Sequence, residues 1–252
     1  MAKYLSPALF GIAICLGGCA GLQDLRDRSD PTKHVPSSVQ EDRTPVDQVP
    51  MYGGMDRQSV PELKKGDEEF IEKSSTAFGG RENAAKKWVE QAFAFYDHDQ
   101  LDMAMRRFNQ AWLLDPQNPG VYWGFGAVAH DRGLAFGAYD MEIRAYKLGF
   151  RDASFLADLG RVSALRTAPA KDARELSPEQ RTAFIAESES YYEEATKSGE
   201  KLGYIYDSWS SAKYWVGDYA GAWKKVKIAR AHGAAANERF LAMLTQKMPE
   251  PK

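Results

Sequence analysis

The sequence predicts an all-α fold in which pairs of helices repeat and stack into a solenoid. From Glu82 onward, apolar residues recur at the spacing of a helix face. Large side chains also recur every 34 residues, as in the series Trp88, Tyr122 and Leu156. The stretch before this region, from about residue 20 to residue 60, is polar and broken by four prolines. The helical region therefore begins after it.

Small residues follow the same 34-residue step as the large ones, for example at Ala92, Gly126 and Gly160. Small residues are needed where two helices cross closely, and aromatic residues fill the space between neighbouring pairs. The first unit carries the full pattern, which consists of Trp88, Ala92, Phe95, Ala104, Phe108, Ala111 and Pro116. This pattern resembles the tetratricopeptide repeat, a helix–turn–helix unit of 34 residues. The resemblance implies a stacked solenoid and a binding role, but it does not name a ligand.

Four repeat-like units are predicted, at residues 85–118, 119–152, 153–202 and 203–236, within a domain that extends to residue 252. The fourth unit repeats the second after 84 residues, which is two periods plus 16 additional residues. We place this insertion at residues 167–180 of the third unit. Ser177 and Gln180 form a capping-box pattern for the helix that follows it. Asn237 is expected to cap a terminal helix at 237–247, which covers the open end of the solenoid.

The N-terminus predicts export. A basic residue, Lys3, precedes a mostly apolar run at 5–16 that is too short to span a membrane. The run is typical of a secretory signal peptide, here residues 1–18. Cys19 directly follows two glycines, and this arrangement resembles the lipobox of bacterial lipoproteins. In the alternative interpretation, the segment is a plain secretory signal and Cys19 is incidental.

The lipoprotein resemblance implies cleavage before Cys19, a diacylglycerol thioether on its sulfur and a fatty acyl group, such as palmitate, on its amino group. Several acyl chains together anchor a protein firmly. In lipoproteins of two-membrane bacteria, a neutral residue such as Ala20 after the cysteine implies the outer membrane, here with the periplasmic face favoured. Residues 19–60 are predicted to be a disordered tether, and 61–84 a lead-in helical segment of unclear role.

The composition and motifs argue against several function classes. The chain has 33 basic and 35 acidic residues, and this balance argues against nucleic-acid binding. The segment from Tyr96 to Asp102 holds three aspartates and His98, but its spacing matches neither a calcium loop nor a zinc site. The sequence contains no glycine-rich phosphate loop and no recognisable nucleophile–histidine pair. We therefore predict no enzyme, no metal and no cofactor beyond the lipid on Cys19.

The register also predicts which side chains line the groove of the solenoid, once the residues used for packing are removed. We call these the groove residues. They are Val89, Phe93, Tyr96, Trp123, His130, Arg161, Asp207 and Tyr214. Aromatic residues and arginine are enriched at binding hot spots. Arg161 could hold a carboxylate of a bound peptide or helix. In the alternative interpretation, the aromatic residues pack against neighbouring units or the inserted loop.

Two functions fit these predictions. The first is a membrane-anchored scaffold or assembly factor that binds a protein partner of the bacterial cell envelope. The second is an envelope module that binds peptidoglycan or a polysaccharide, with Trp123 stacking on sugar rings and Asp207 bonding hydroxyls. Peptide binding should depend on Arg161 and weaken with salt, whereas sugar binding should tolerate salt. Self-assembly through the open ends is a third possibility. The sequence leaves the partner and the oligomeric state open.

Overall fold

The computed structural model describes residues 56–235 and 237–252. All regular elements in these ranges are helical, which confirms the predicted all-α class. The signal peptide, Cys19 and the tether up to residue 55 lie outside the described residues. A short 3-10 turn at Arg57–Ser59 precedes the α-helices, which are α1 (Pro61–Phe78), α2 (Arg81–Tyr96), α3 (Leu101–Leu114), α4 (Pro119–Asp131), α5 (Ala135–Lys147), α6 (Ala153–Leu165), α7 (Pro178–Thr196), α8 (Leu202–Trp215), α9 (Tyr219–Ala231) and α10 (Glu238–Lys247).

The chain falls into two compact units, one ending at Gly124 and one beginning at Phe125. Helix α4 starts in the first unit and ends in the second. Helices α2/α3, α4/α5, α6/α7 and α8/α9 fall in turn within the four ranges predicted as repeat units, except that α2 begins four residues early, at Arg81, and α8 begins one residue early, at Leu202.

In the first unit, α2 packs against both α1 and α3. The buried core between them contains Ala84, Ala85 and Leu114, against which Phe70 and Trp88 pack. Alanines at these positions let the helices approach closely, and the aromatic rings cover the remaining apolar surface. Burial of this surface is the main favourable term that holds the three helices together.

The start of the first unit overlaps the segment predicted as tether. Arg57 is buried and donates from Nε to Oδ2 of Asp67 on α1, at 2.8 Å. A buried charge requires such a partner, because its desolvation is costly. This ion pair holds the 3-10 turn against α1, so the folded region begins before residue 60.

The turns inside three of the helix pairs share one backbone feature at positions related by the repeat. Asp99, Gly133 and Gly217 all have positive φ, at 58°, 82° and 87°. Glycine adopts this left-handed conformation without a Cβ penalty, and aspartate tolerates it better than most residues. The acidic segment around Asp99 is thus a helix–helix turn, in which His98 Nδ1 lies 2.7 Å from the Ala94 carbonyl oxygen.

The second unit is built from helices that contact both their pair partner and the next pair. Helix α6 packs on α5, on α7 and on α8, and α8 packs on α9. Helix α10 packs against the last helix pair at the C-terminal end of this unit. There Phe240 and Leu244 are buried with Trp223 of α9. Asn237 accepts a hydrogen bond from the backbone N–H of Phe240, which confirms its predicted role as N-cap of α10.

Two glycines of the repeat register lie beneath large side chains in the second unit. A Cβ at Gly160 would lie 2.8 Å from the ring of Tyr192 on α7, and one at Gly126 would lie 2.4 Å from Cγ of Glu142 on α5. At distances this short, a side chain at either position would force the larger side chain above it to move. The small residues of the 34-residue step therefore mark where the first helix of a pair meets the second.

We expect Gly160→Ala to destabilise the protein by about 1–3 kcal/mol, because the new methyl group overpacks against a fully buried ring. The matched control is Gly137→Ala, where the nearest atom to a new Cβ lies at an ordinary 3.5 Å. Urea unfolding should show the loss only for Gly160→Ala. Equal stability of the two variants would contradict the close contact.

The inserted segment lies between α6 and α7, and hydrogen bonds attach it to the start of α5. The Asp172 carboxylate accepts the backbone N–H of Gly137 in the first turn of α5 at 2.9 Å, and Lys171 N–H donates to the Gly133 carbonyl at 2.9 Å. Leu134, the residue at the N-cap of α5, has no side-chain cap of its own. Asp172 therefore caps α5 from 35 residues downstream.

Aromatic side chains hold both ends of the insertion. The Arg166 guanidinium lies between the rings of Tyr139 and Phe184, 3.5 and 3.7 Å from their centroids, and it pairs with Glu187. Arg174 lies 4.2 Å from the centroid of Phe136. Ser177 and Gln180 then form the predicted capping box of α7, which is confirmed.

Replacing Asp172 with alanine should lower the free energy of unfolding by about 1 kcal/mol, the usual cost of losing an N-cap. Glu175→Ala, which removes an exposed acid from the same segment, should have little effect. Hydrogen exchange would locate the loss at the first turn of α5. Unchanged protection there in Asp172→Ala would argue against the downstream cap.

Candidate functional site

Four of the predicted groove residues lie in the first unit, where three of them form an aromatic cluster. The Phe93 ring lies 4.9 Å from that of Trp123 and 6.5 Å from that of Tyr96, measured between centroids. Val89 lies beside α4, since its Cγ1 would be 3.2 Å from a Cβ at Gly120. All four side chains are partly exposed. The cluster thus combines mutual packing with apolar surface that remains accessible.

The other four groove residues lie in the second unit, and the structure places them in different surroundings. His130 Nδ1 is 2.8 Å from Oδ1 of its neighbour Asp131. Tyr214 packs against Tyr219 and Phe240, with centroids 5.6 and 5.8 Å away, so it belongs with the C-terminal core. Arg161 and Asp207 remain as the charged groove residues of this unit.

Arg161 is held in a polar network between α6 and α8. Its Nη2 donates to Oδ1 of Asp158, one turn earlier on α6, at 2.8 Å. The same oxygen accepts the Tyr204 hydroxyl of α8 at 2.5 Å. Asp158 is 1% exposed, so its carboxylate needs these donors. The network fixes the Arg161 guanidinium and binds the two helices together.

A second buried acid joins this network. Glu142 is 1% exposed, and its Oε2 has no hydrogen-bond partner within the described residues. Burial raises the pKa of Glu142 well above 4.5, the negative Asp158 raises it further, and Arg161 opposes both effects. The sequence shows Glu142 where the repeat pattern has an aromatic residue, but its charged neighbours come from α6 and are not predictable from that departure.

Asp207 lies on α8, three residues after Tyr204, and its carboxylate is half-buried. Burial raises its pKa, while Arg161 lowers it. No hydrogen bond or ion pair of this carboxylate occurs within the described ranges. The second unit therefore places three acids, Glu142, Asp158 and Asp207, around a single arginine. Such perturbed groups are common at functional sites, although structural networks perturb pKa values as well.

The described residues contain no further cluster of side chains arranged for a particular chemistry. Residues 56–235 and 237–252 contain no group of three or more His, Cys, Asp or Glu side chains arranged to hold a metal ion. Every helix in the same ranges is too short or too polar to cross a bilayer. Comparison with known proteins found neither a matching family model nor a significantly similar curated protein.

Glu142→Gln should remove a pH dependence of stability. The folded protein binds a proton at Glu142 more tightly than the unfolded chain does, so the wild type loses stability as pH rises from about 4.5 through the raised pKa. The loss is about 1.4 kcal/mol for each unit by which folding raises that pKa. Denaturant titrations between pH 4.5 and pH 9 measure it.

The variant should have a flatter stability profile than the wild type and unfold at higher denaturant concentration at alkaline pH. Asp140→Asn, which removes an exposed acid from the same helix, should leave the profile unchanged. A Glu142→Gln profile parallel to that of the wild type would contradict the raised pKa of this buried carboxyl.

Proposed function

We propose that the chain is a lipid-anchored tetratricopeptide-like protein of the bacterial cell envelope that binds a protein partner. The observation that carries the proposal is the contact of α6 with α8 in addition to its pair partner α7. When the first helices of successive pairs lie side by side, their accessible side chains form an extended surface for binding. The left-handed turn positions at Asp99, Gly133 and Gly217 support the repeat interpretation.

The partly exposed groove residues support binding in each unit taken by itself. The first unit presents the aromatic cluster of Phe93, Tyr96 and Trp123, residues of a type that provides large contact area at little entropic cost. The second presents Arg161 and Asp207, and Arg161 is fixed in advance by its hydrogen bond to Asp158, which also accepts the Tyr204 hydroxyl of α8. Preorganised side chains lose less entropy when a partner binds.

The proposed location of the protein in the cell is based on its N-terminal sequence. The residues from Leu16 to Ala20 resemble a lipobox, and we propose that Cys19 carries the lipid and that the protein faces the periplasm from the outer membrane. The work that this placement favours is scaffolding or assembly of an envelope machine. Phe93, Tyr96, Trp123, Arg161 and Asp207 are the groove residues proposed to contact the partner.

Crosslinked capture from native envelopes tests the proposal with the full chain. Ser211 is partly exposed one turn after Asp207, so Ser211→Trp places a large side chain on the groove-facing side of α8 and removes no observed contact. A protein partner should be recovered with the wild type and lost with Ser211→Trp. Lys227→Trp, at an exposed position of α9, is the matched control and should retain the partner.

Unchanged far-ultraviolet circular dichroism would establish that both variants fold. Recovery of the same proteins with Ser211→Trp would argue against binding through this side of α8. Recovery of muropeptides or polysaccharide in place of a protein would favour the glycan-binding alternative.

A further inference from the structure

Two groups of side chains with the same composition join α5 to α7 in the second unit. In each group, a tyrosine of α5 donates its hydroxyl to a glutamate of α7. Tyr139 donates to Oε1 of Glu187 at 2.6 Å, and Tyr146 donates to Oε2 of Glu194 at 3.0 Å. Each glutamate lies 48 residues after its tyrosine, so the second group repeats the first about two helical turns further along both helices.

An arginine completes each group in the same way. Arg166, which follows α6, stacks on the Tyr139 ring and pairs with Glu187. Arg151, which follows α5, lies 3.4 Å from the centroid of the Tyr146 ring, and its Nε is 3.2 Å from Oε1 of Glu194. We call these groups the α5/α7 triads. The first consists of Tyr139, Glu187 and Arg166, and the second of Tyr146, Glu194 and Arg151.

Long side chains, and not close backbone packing, connect α5 to α7. Helix α6 packs on both helices, whereas the backbones of α5 and α7, both described in full, do not pack closely on each other. Aromatic rings fill the space between them. Phe136 packs on Phe184 with centroids 6.2 Å apart, and Tyr146 packs on Tyr191 at 5.2 Å. Apolar packing is non-directional, whereas the hydrogen bonds of the triads require a defined geometry.

The spacing of the triads determines what they can fix. A single connection between two rods holds them together but lets them pivot, whereas two separate connections also fix the angle between them. At a rise of 1.5 Å per residue, the triads are about 10 Å apart along each helix. Two connections at this spacing hold both halves of α5 against α7.

We infer that the two triads form a clamp that fixes the angle at which α7 stacks on α5. The Glu187 and Glu194 side chains are 31% and 29% exposed, so the clamp lies at the surface, outside the buried residues of α6. The inference goes beyond the proposed function and does not depend on a partner, because every contact in it lies within the second unit.

Pulsed electron paramagnetic resonance measures the separation of the two helices at each triad. One pair of nitroxide labels is attached at Asp140→Cys and Ser190→Cys, beside the first triad. The other pair is attached at Lys147→Cys and Lys197→Cys, seven residues further along, beside the second triad. All four positions are exposed, so the labels displace no buried side chain.

The full chain is used, with Cys15→Ser and Cys19→Ser so that only the introduced cysteines are labelled. Glu187→Ala should lengthen or broaden the distances of the first label pair by about 1–2 Å, the usual size of helix shifts, and leave the second pair nearly unchanged. Glu194→Ala should do the reverse, and the double variant should change both pairs. Glu193→Ala removes an exposed neighbouring acid and should change neither.

A second double variant covers the case in which loss of both glutamates prevents folding. Tyr139→Phe with Tyr146→Phe keeps both rings and removes only the hydroxyl donors, so it should broaden both distance distributions by less than the glutamate variant. Far-ultraviolet circular dichroism establishes that each variant folds. Unchanged distances in a folded double variant, or equal changes at both label pairs in each single variant, would overturn the inference.

Discussion

Close approach of the two helices within the pairs α4/α5 and α6/α7 constrains much of the second unit. The first helix supplies a residue without a side chain, Gly126 or Gly160, and the second supplies a large one that fills the space above it. Neither partner can change alone, because added volume overpacks the contact and removed volume leaves a cavity. The 34-residue spacing of small residues in the sequence reflects this helix pairing. The same spacing gives the positions of the groove side chains.

In the pair α4/α5, the large side chain above the glycine is ionisable rather than apolar, and this difference affects the candidate site. At Gly126 the filling residue is Glu142 rather than an aromatic ring, which brings a carboxyl into the core next to Asp158 and Arg161. The raised pKa of Glu142 favours its neutral form, and Arg161 remains paired with the buried carboxylate of Asp158. Packing inside one helix pair thus influences the electrostatics of the network between α6 and α8.

Local rules predict much of this chain, whereas contacts between distant residues are not predictable from the sequence. The caps at Ser177 and Asn237 depend on neighbouring residues, so the sequence shows them directly. The cap from Asp172 to α5 and the rings around Arg166 join residues brought together only by folding. For the same reason, the register places Tyr214 among the groove residues but gives no indication of its packing against Phe240 from α10.

The cap that the insertion provides to α5 also has a consequence for the order in which parts of the protein form during synthesis. A chain that emerges from its N-terminus first presents the start of α5 well before Asp172, so during the interval the N–H of Gly137 has only water as its partner. The side-chain cap of α5 is added only after α6 and the insertion have emerged. In the second unit, a residue late in the chain therefore caps a helix that is synthesised earlier. A chain that ends before residue 172 lacks this cap of α5.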